Sequence, residues 1–445
     1  MNRSLLAVVS SHEAEPAPGL LVARPFPGPD IDFVDPWIML DHFGPTPVTP
    51  GDFGGLVGAV RHEHPRRNLA GPQGLRGGPH GHSFRFTSKG NRMSNNLFSP
   101  LQAGSIALPN RIVMAPMTRS RADIAGVPGP LVPTYYAQRS GAGLIISEGT
   151  YPSAMGKGYL GTPGLHSDAQ VAGWKTVTDA VHARGGQIVA QIMHAGRISD
   201  PSMLPGGATP VAPSAVRPEG QSYTLAGMKA HVTPRALEIG EIPGVIAEYA
   251  AATRRALDAG FDGVELHAAS GYLPMQFLSS GSNTRTDGYG GSATNRARFI
   301  VEALDAMIAV AGAGRVGIKL SPDMAFNDIA DANPQDTYRT LVSLIGPKGL
   351  AYVHVALFGG PFDYHSLLRP LVKGAYFAGG GLTQQAAEAL VVSGKADAAV
   401  FGAAVIANPD LPARFRTGAS LVKPDQATYY AGGDKGYTDY PALAA

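Results

Sequence analysis

His267, Ser270 and Tyr272 stand together in the stretch VELHAASGYL. An imidazole, a hydroxyl and a phenol are neutral groups that hydrogen-bond and exchange protons. Just past a short apolar run they suit a loop that supports chemistry, or an ordinary strand end facing water. Other candidates sit at the ends of similar runs: Thr118 with Arg119, Glu148 with Gly149, Gln191 with His194, then Lys319, Gly379 to Gly381 and Gly402. The set holds neutral hydrogen-bonders, a cation, a phenol and two glycine-rich loops. It lacks the carboxylate pair of a glycosidase and has no evident metal cluster. A buried Lys319 is costly unless it reaches solvent or faces an anion. The glycines either let backbone N–H groups approach phosphate or simply make tight turns.

Something must bring these residues to one place. Eight short runs rich in Val and Ile recur along the chain: Arg111–Met117, Gly143–Gly149, Gln187–His194, Gly263–His267, Val316–Pro322, Ala351–Ala356, Ala375–Gly381 and Ala398–Gly402. Their nearly continuous apolar character suits parallel strands covered on both faces. Helical stretches separate them. Asp168–Gly186 puts Val171, Trp174, Val177 and Val181 on one face and ends in glycine, and Ile242–Gly260 has proline near its start and glycine at its end. Eight strands with intervening helices predict an α/β fold, a (β/α)8 TIM barrel. A doubly wound open sheet is the competing layout, but no early G-x-G-x-x-G follows the first run. In a barrel the C-terminal strand ends form the active face, which is where the candidates fall.

Composition narrows the function. The chain has 445 residues, a formal charge of +2 and 16% charged residues. Nothing in that balance points to nucleic acid. The absence of cysteine removes disulfides, thiolate metal sites and thiol nucleophiles. No apolar run is long enough for a membrane span, and the first residues carry too few apolar positions for a signal peptide. A cytoplasmic location is the expectation.

The blocks NLFSPLQAGSIALPNRIVMAPMTRSRA, GLIISEGTYPSAMGKGYLGTPGLHS, GYLPMQFLSSGSNTRTDGYGGSATNRARF, FGAAVIANPDL and YYAGGDKGYTDYPAL resemble the Old Yellow Enzyme family, nearest to its N-ethylmaleimide reductase branch. The resemblance covers about residues 93–445. It implies a barrel holding non-covalent FMN. It also implies a hydride taken from NADPH or NADH and passed to the β-carbon of an activated alkene such as an enone or maleimide, with nitro compounds or nitrate esters as further acceptors. On the matching motifs, Thr118 would hydrogen-bond the flavin, helped by the backbone of Ala115, Pro116 and Met117. Gly149 and Gln191 would line its pyrimidine edge. His267 and Ser270 would bind the acceptor oxygen and Tyr272 would donate the proton. Tyr430 would overhang the substrate.

Four positions depart from the family pattern. Ser270 stands where relatives carry His or Asn, so its short hydroxyl reaches the acceptor directly or through water. Lys319 replaces an arginine beside the flavin and lacks the planar fork. Ala403 replaces the arginine that grips the phosphate, which leaves the backbone of Gly379, Gly380, Gly381, Gly402 and Ala403. Met193, where tryptophan is common, reshapes the pocket. The change at Ala403 favours weaker FMN retention, and Ser270, Lys319 and Ala403 together raise a second reading, a flavin-binding protein with little ene-reductase turnover.

Residues 1–92 differ in kind. They hold 12 Pro and 13 Gly, a level that approaches poorly ordered segments. The expectation is a poorly ordered extension, with the barrel domain over 93–445 and Met93 as its natural start. VDPWIMLDHFGP resembles the opening of pirin-type cupin proteins, and His62, Glu63, His64, His80 and His82 are possible metal ligands. A fused remnant is the plainer reading, so no metal is expected. The partner is a small electrophilic alkene, and the assembly a monomer or homodimer.

Overall fold

The structure, a computed structural model, describes residues 96–430 and 432–443. The N-terminal extension and its pirin-like stretch lie outside the described residues. Eight parallel strands close on themselves: β1 (Ile112–Met114), β2 (Leu144–Ile146), β3 (Ile188–Ile192), β4 (Gly263–Ala268), β5 (Val316–Leu320), β6 (Tyr352–Ala356), β7 (Ala375–Gly379) and β8 (Ala398–Phe401). Each pairs with its neighbours in chain order and β8 returns to β1. The barrel expectation is borne out, and the open sheet is excluded because the sheet has no edge.

Every residue of the eight strands is buried, which is why their sequences read as continuous apolar runs rather than alternating ones. The outward side chains meet the helices: α1 (Val132–Ala137), α2 (Asp168–His182), α3 (Ile242–Asp258), α4 (Leu273–Leu278), α5 (Ala293–Ala311), α6 (Pro334–Ile345), α7 (Tyr364–Leu368), α8 (Gln384–Val392), α9 (Ala403–Ala407) and α10 (Leu411–Thr417). In α2 the Ser167 hydroxyl accepts from Gln170 N in a capping box, and Trp174, Val177 and Val181 are buried while Val171 is half-buried. Burial of each such side chain stabilises the fold by roughly 1.5–3 kcal/mol. A hairpin, Leu101–Ala103 with Ile106–Leu108, closes the N-terminal end of the barrel. There Ser105 N donates to Gly314 O just before β5.

Between β3 and α3 the chain makes an excursion that the periodicity did not announce. It holds a hairpin, Gln221–Thr224 with Gly227–Ala230, and a two-residue parallel pair, Val211–Ala212 with Arg235–Ala236. These strands are too short to show a pattern. No helix among the described residues is long and apolar enough to cross a membrane.

Candidate active site

Side chains alternate along a strand, so residues two apart share a face. In β4 that rule puts Glu265 and His267 inside the barrel. Neighbouring strands add partners in register: Gln191 opposite Glu265, Lys319 opposite His267, and His354 opposite Lys319. All five are at most 3% exposed. The Gln191 amide donates to Glu265 Oε1 at 2.7 Å, and His354 Nδ1 lies 3.2 Å from Glu265 Oε2. One carboxylate thus orients an amide and an imidazole on either side. Glu265 and His354 were not among the candidates read from sequence. Their signal was present, since each is a polar residue inside an apolar run and in phase with Gln191, His267 or Lys319.

Burial, then the Lys319 charge and His354, hold the His267 imidazole well below its ordinary pKa. It is neutral at pH 7, and its Nδ1 has no protein partner. The His354 pKa is also lowered, first by burial, with Glu265 opposing and the Lys319 charge adding to the drop.

Beyond β4 the chain turns sharply. Ser270 adopts φ +54°, a left-handed conformation that strains most side chains. Ser321 Oγ accepts from Ser270 N at 3.0 Å, and Asn327 Nδ2 donates to Ser270 O at 2.8 Å. Those two bonds hold the turn while Ser270 Oγ remains buried without a protein partner. Tyr272 follows as the N-cap of α4, with Pro274 in the first turn. Its ring meets the His267 ring edge-on at 4.9 Å, and its hydroxyl lies 3.0 Å from that of Tyr159. Met193, Ala195, Ile198 and Tyr272 form a small apolar cluster apart from the main core, with Tyr159 packed against it. The structure therefore brings His267, Ser270, Tyr272 and Met193 together. Tyr159, from the loop after β2, was not read as a site residue.

The other side of the mouth is made of small residues. Ala115, Gly379, Gly380, Gly381, Gly402 and Ala403 converge with His354 and Val400 around a cavity of about 30 Å³. Gly380 has φ +112°, and a Cβ there would collide with Leu357 O. Gly149 is packed under Met193, whose sulfur would lie 2.7 Å from an added Cβ. Gly402 is different. A Cβ there meets only Met117 Sδ at 3.6 Å and Ala115 Cβ at 3.9 Å, so protein packing does not require glycine. Close approach of a ligand would.

Pro116 and Met117 are buried, and Thr118 is half-buried at the rim. Next to them Arg119 is fully buried. It donates to Tyr135 OH at 2.8 Å, Tyr429 O at 3.1 Å and Gly436 O at 2.9 Å. Arg121 donates to Thr428 O and Tyr429 O. Two arginines thus tether the C-terminal segment, and with it the half-buried Tyr430, to the loop after β1. Glu148 accepts from Arg119 N at 3.1 Å, and burial pushes its carboxyl up to about 7. His194 belongs to a turn instead: its Nδ1 accepts from Gly196 N, and burial lowers its pKa to about 4. Among the described residues no group of three His, Asp or Glu is placed to hold a metal ion.

Residues 96–421 match the profile of the NADH:flavin oxidoreductase / NADH oxidase family. The chain belongs to that family. The Old Yellow Enzyme resemblance is borne out with it, and the chain is an FMN-dependent oxidoreductase supplied with hydride by a nicotinamide. It is 40% identical over 378 residues to a flavin oxidoreductase of Emericella nidulans, covering 78% of this chain and 97% of that protein. It is 42% identical over 355 residues to a probable flavin mononucleotide-dependent alkene reductase of Leishmania infantum, again covering 78% and 97%. Among solved structures it is similar to morphinone reductase in complex with tetrahydroNAD, with TM-score 0.76 and 47% identity over 78% of this chain and 98% of that one. An old yellow enzyme homologue from Zymomonas mobilis matches with TM-score 0.76 and 39% identity, over 78% of this chain and all of that one.

For this flavin oxidoreductase the residues fit the cofactor. The glycine cradle ends in the open Gly402, and Gln191, Lys319, His267 and Thr118 ring the barrel mouth beside it. Buried polar atoms without protein partners, His267 Nδ1 and Ser270 Oγ, belong to residues of the same mouth.

Proposed function

We propose that this chain reduces activated alkenes, with enones and maleimides as the main class and nitro compounds or nitrate esters as further acceptors. The observation that carries the reading is the His267–Tyr272 pair, a neutral imidazole and a phenol edge to face at 4.9 Å above the polar barrel interior. Bound FMN supplies the hydride it has received from NADPH or NADH to the β-carbon of the alkene.

The chain's own residues do the rest. Ala115, Pro116, Met117 and Thr118 with Gly149 and Gln191 hold the ring system, and Gln191 is oriented for that by Glu265. Lys319 places a positive charge beside it, where negative charge accumulates on reduction. Gly379, Gly380, Gly381, Gly402 and Ala403 offer backbone N–H groups to the phosphate. His267, kept neutral by burial and the Lys319 charge, donates one hydrogen bond to the acceptor oxygen, and Ser270 adds a second directly or through water. Those bonds strengthen as the oxygen gains charge. Tyr272 gives its hydroxyl proton to the α-carbon. Met193 and Tyr430 shape the space above.

Every proposed group comes from one chain, so a monomer or a homodimer suffices. The cytoplasm is the compartment that maintains the reduced nicotinamide this chemistry consumes. The small formal charge favours a small-molecule partner over nucleic acid.

The test is an anaerobic stopped-flow measurement of flavin colour, first with each nucleotide and then with cyclohexenone or N-ethylmaleimide. Bleaching followed by rapid return of colour with the alkene supports the reading. Bleaching without return supports the second reading, a flavin-binding protein with weak turnover, which the short unpartnered Ser270 hydroxyl and Ala403 favour.

A further inference from the structure

Glu265 is wholly buried inside the barrel, two residues before His267 on the same face of β4. Its two oxygens serve different strands. Oε1 accepts from the Gln191 amide of β3 at 2.7 Å, and Oε2 lies 3.2 Å from His354 Nδ1 of β6. A buried carboxylate is costly, and hydrogen bonds from both neighbours offset that cost.

A carboxylate oxygen only accepts, so each neighbour must turn a donor inward. For Gln191 that donor is the amide NH2. An amide turned the other way would set its own oxygen against Glu265 Oε1, acceptor against acceptor. The Gln191 backbone is held separately: its N–H donates to Ser147 Oγ at 3.1 Å, and its carbonyl accepts from Thr150 Oγ1 at 2.7 Å. The side-chain amide is the freedom that remains, and Glu265 removes it. For His354 the inward donor is Nδ1–H, which leaves Nε2 with a lone pair. The imidazole lies under the glycine cradle, where Nε2 is buried without a protein partner, 3.0 Å from the place a Cβ on Gly379 would take. One carboxylate thus dictates the polarity of two side chains on different strands.

We propose that Glu265 is a positioning residue of the flavin site. By accepting from both neighbours it holds His354 in the Nδ1–H tautomer and holds the Gln191 amide with its carbonyl oxygen outward, where that oxygen accepts from the N3–H of the flavin pyrimidine ring. Its negative charge beneath that edge also lowers the electron affinity of the bound flavin, against the Lys319 charge, which raises it. This rests on the reading above that Gln191 lines the pyrimidine edge, and extends it to a residue that touches no cofactor atom. Glu265→Gln keeps the side-chain volume but brings one oxygen and one NH2. Only one neighbour can then keep its orientation.

The test compares Glu265→Gln, Glu265→Asp, Gln191→Ala and the double variant Glu265→Gln/Gln191→Ala with the wild type. FMN affinity is read by fluorescence quenching on apoprotein, and the flavin potential by anaerobic equilibration with a reference dye. Thermal midpoints show which variants fold. We expect Gln191→Ala to weaken FMN binding about tenfold and Glu265→Gln about three- to tenfold. The double variant should bind FMN no more weakly than Gln191→Ala, because Glu265 acts through that amide. The potential should rise in Glu265→Gln and in the double variant. It should stay near the wild-type value in Glu265→Asp, which keeps the charge and loses the reach. Losses that multiply in the double variant overturn the proposal and leave Gln191 at the flavin edge. Unchanged affinity in Gln191→Ala overturns both. An equal potential in Glu265→Gln and wild type overturns the proposal, as does an equal rise in Glu265→Asp. Nitrogen NMR of the histidine-labelled wild type, with His354→Gln identifying the signal, should show His354 as the Nδ1–H tautomer. The Nε2–H tautomer overturns the proposal even where no Glu265 variant folds.

Discussion

The hydroxyl of Tyr159 lies 3.0 Å from the hydroxyl of Tyr272. The two phenols come from different loops, one after β2 and one after β4, and Tyr159 is the more exposed of the pair. On the reading proposed above, Tyr272 gives up a proton that must be replaced after each turnover, and Tyr159 would orient it and pass a proton inward. Tyr272→Phe should slow flavin reoxidation by an alkene about 10²–10³-fold, within the range of general acid catalysis. Tyr159→Phe should slow it roughly three- to tenfold, with a changed solvent isotope effect. Flavin reduction by the nucleotide should change little in either variant, which separates a proton-transfer role from a structural one.

Ser270 invites the opposite kind of change. Its φ of +54° suits Asn better than Ser, because Asn tolerates the left-handed region. Ser270→Asn should keep or raise the thermal midpoint and add a longer donor toward the acceptor oxygen. An increase of about tenfold in kcat/KM for cyclohexenone is expected, below the 10²–10³ effect of a full oxyanion donor. Ser270→Ala should cost only a few-fold.

On the reading proposed above, cofactor retention rests on backbone at the phosphate end. Ala403 is half-buried at the start of α9, with Gly402 as its cap. Ala403→Arg should tighten FMN binding about tenfold or more, as a charge-assisted hydrogen bond to phosphate is worth about 1.5–3 kcal/mol. Titration of apoprotein by flavin fluorescence quenching reads this directly. Unchanged affinity in Ala403→Arg would show that backbone groups already saturate the phosphate.

Glu148 makes stability depend on pH. Its folded pKa, about 7, lies above the ordinary 4.5 because burial penalises the charge. A raised pKa means the folded state holds the proton more tightly. That stability is fully present below pH 4.5 and is lost as pH rises through 7. The contribution is on the order of 3 kcal/mol at most, from about 1.4 kcal/mol per pKa unit. Glu148→Gln should therefore flatten urea stability between pH 5 and 8 relative to the wild type. An identical slope in both proteins would remove Glu148 as the cause.

The barrel was legible because strands buried on both faces cannot hide. Apolar runs carrying Gln191, His267 or Lys319 near their C-terminal ends declared both their class and the end at which the proposed site lies. The turn at Ser270 was legible only as a position, since its left-handed backbone depends on Ser321 and Asn327, about fifty residues away. The excursion between β3 and α3 was not legible, because two- to four-residue strands carry no period.

Residue types and spacing alone determined the eightfold strand–helix repeat, the glycine-rich ends of β7 and β8, and the imidazole near the end of β4 with the phenol just after it, since local periodicity and motif chemistry are written in neighbouring positions. Only the tertiary structure decided that Tyr159 meets Tyr272 and that Glu265 joins Gln191 to His354. It also decided that Arg119 ties down the C-terminal segment more than 300 residues away. Those contacts arise when the barrel closes and brings distant strand ends to one mouth, and no local pattern records which of them will touch.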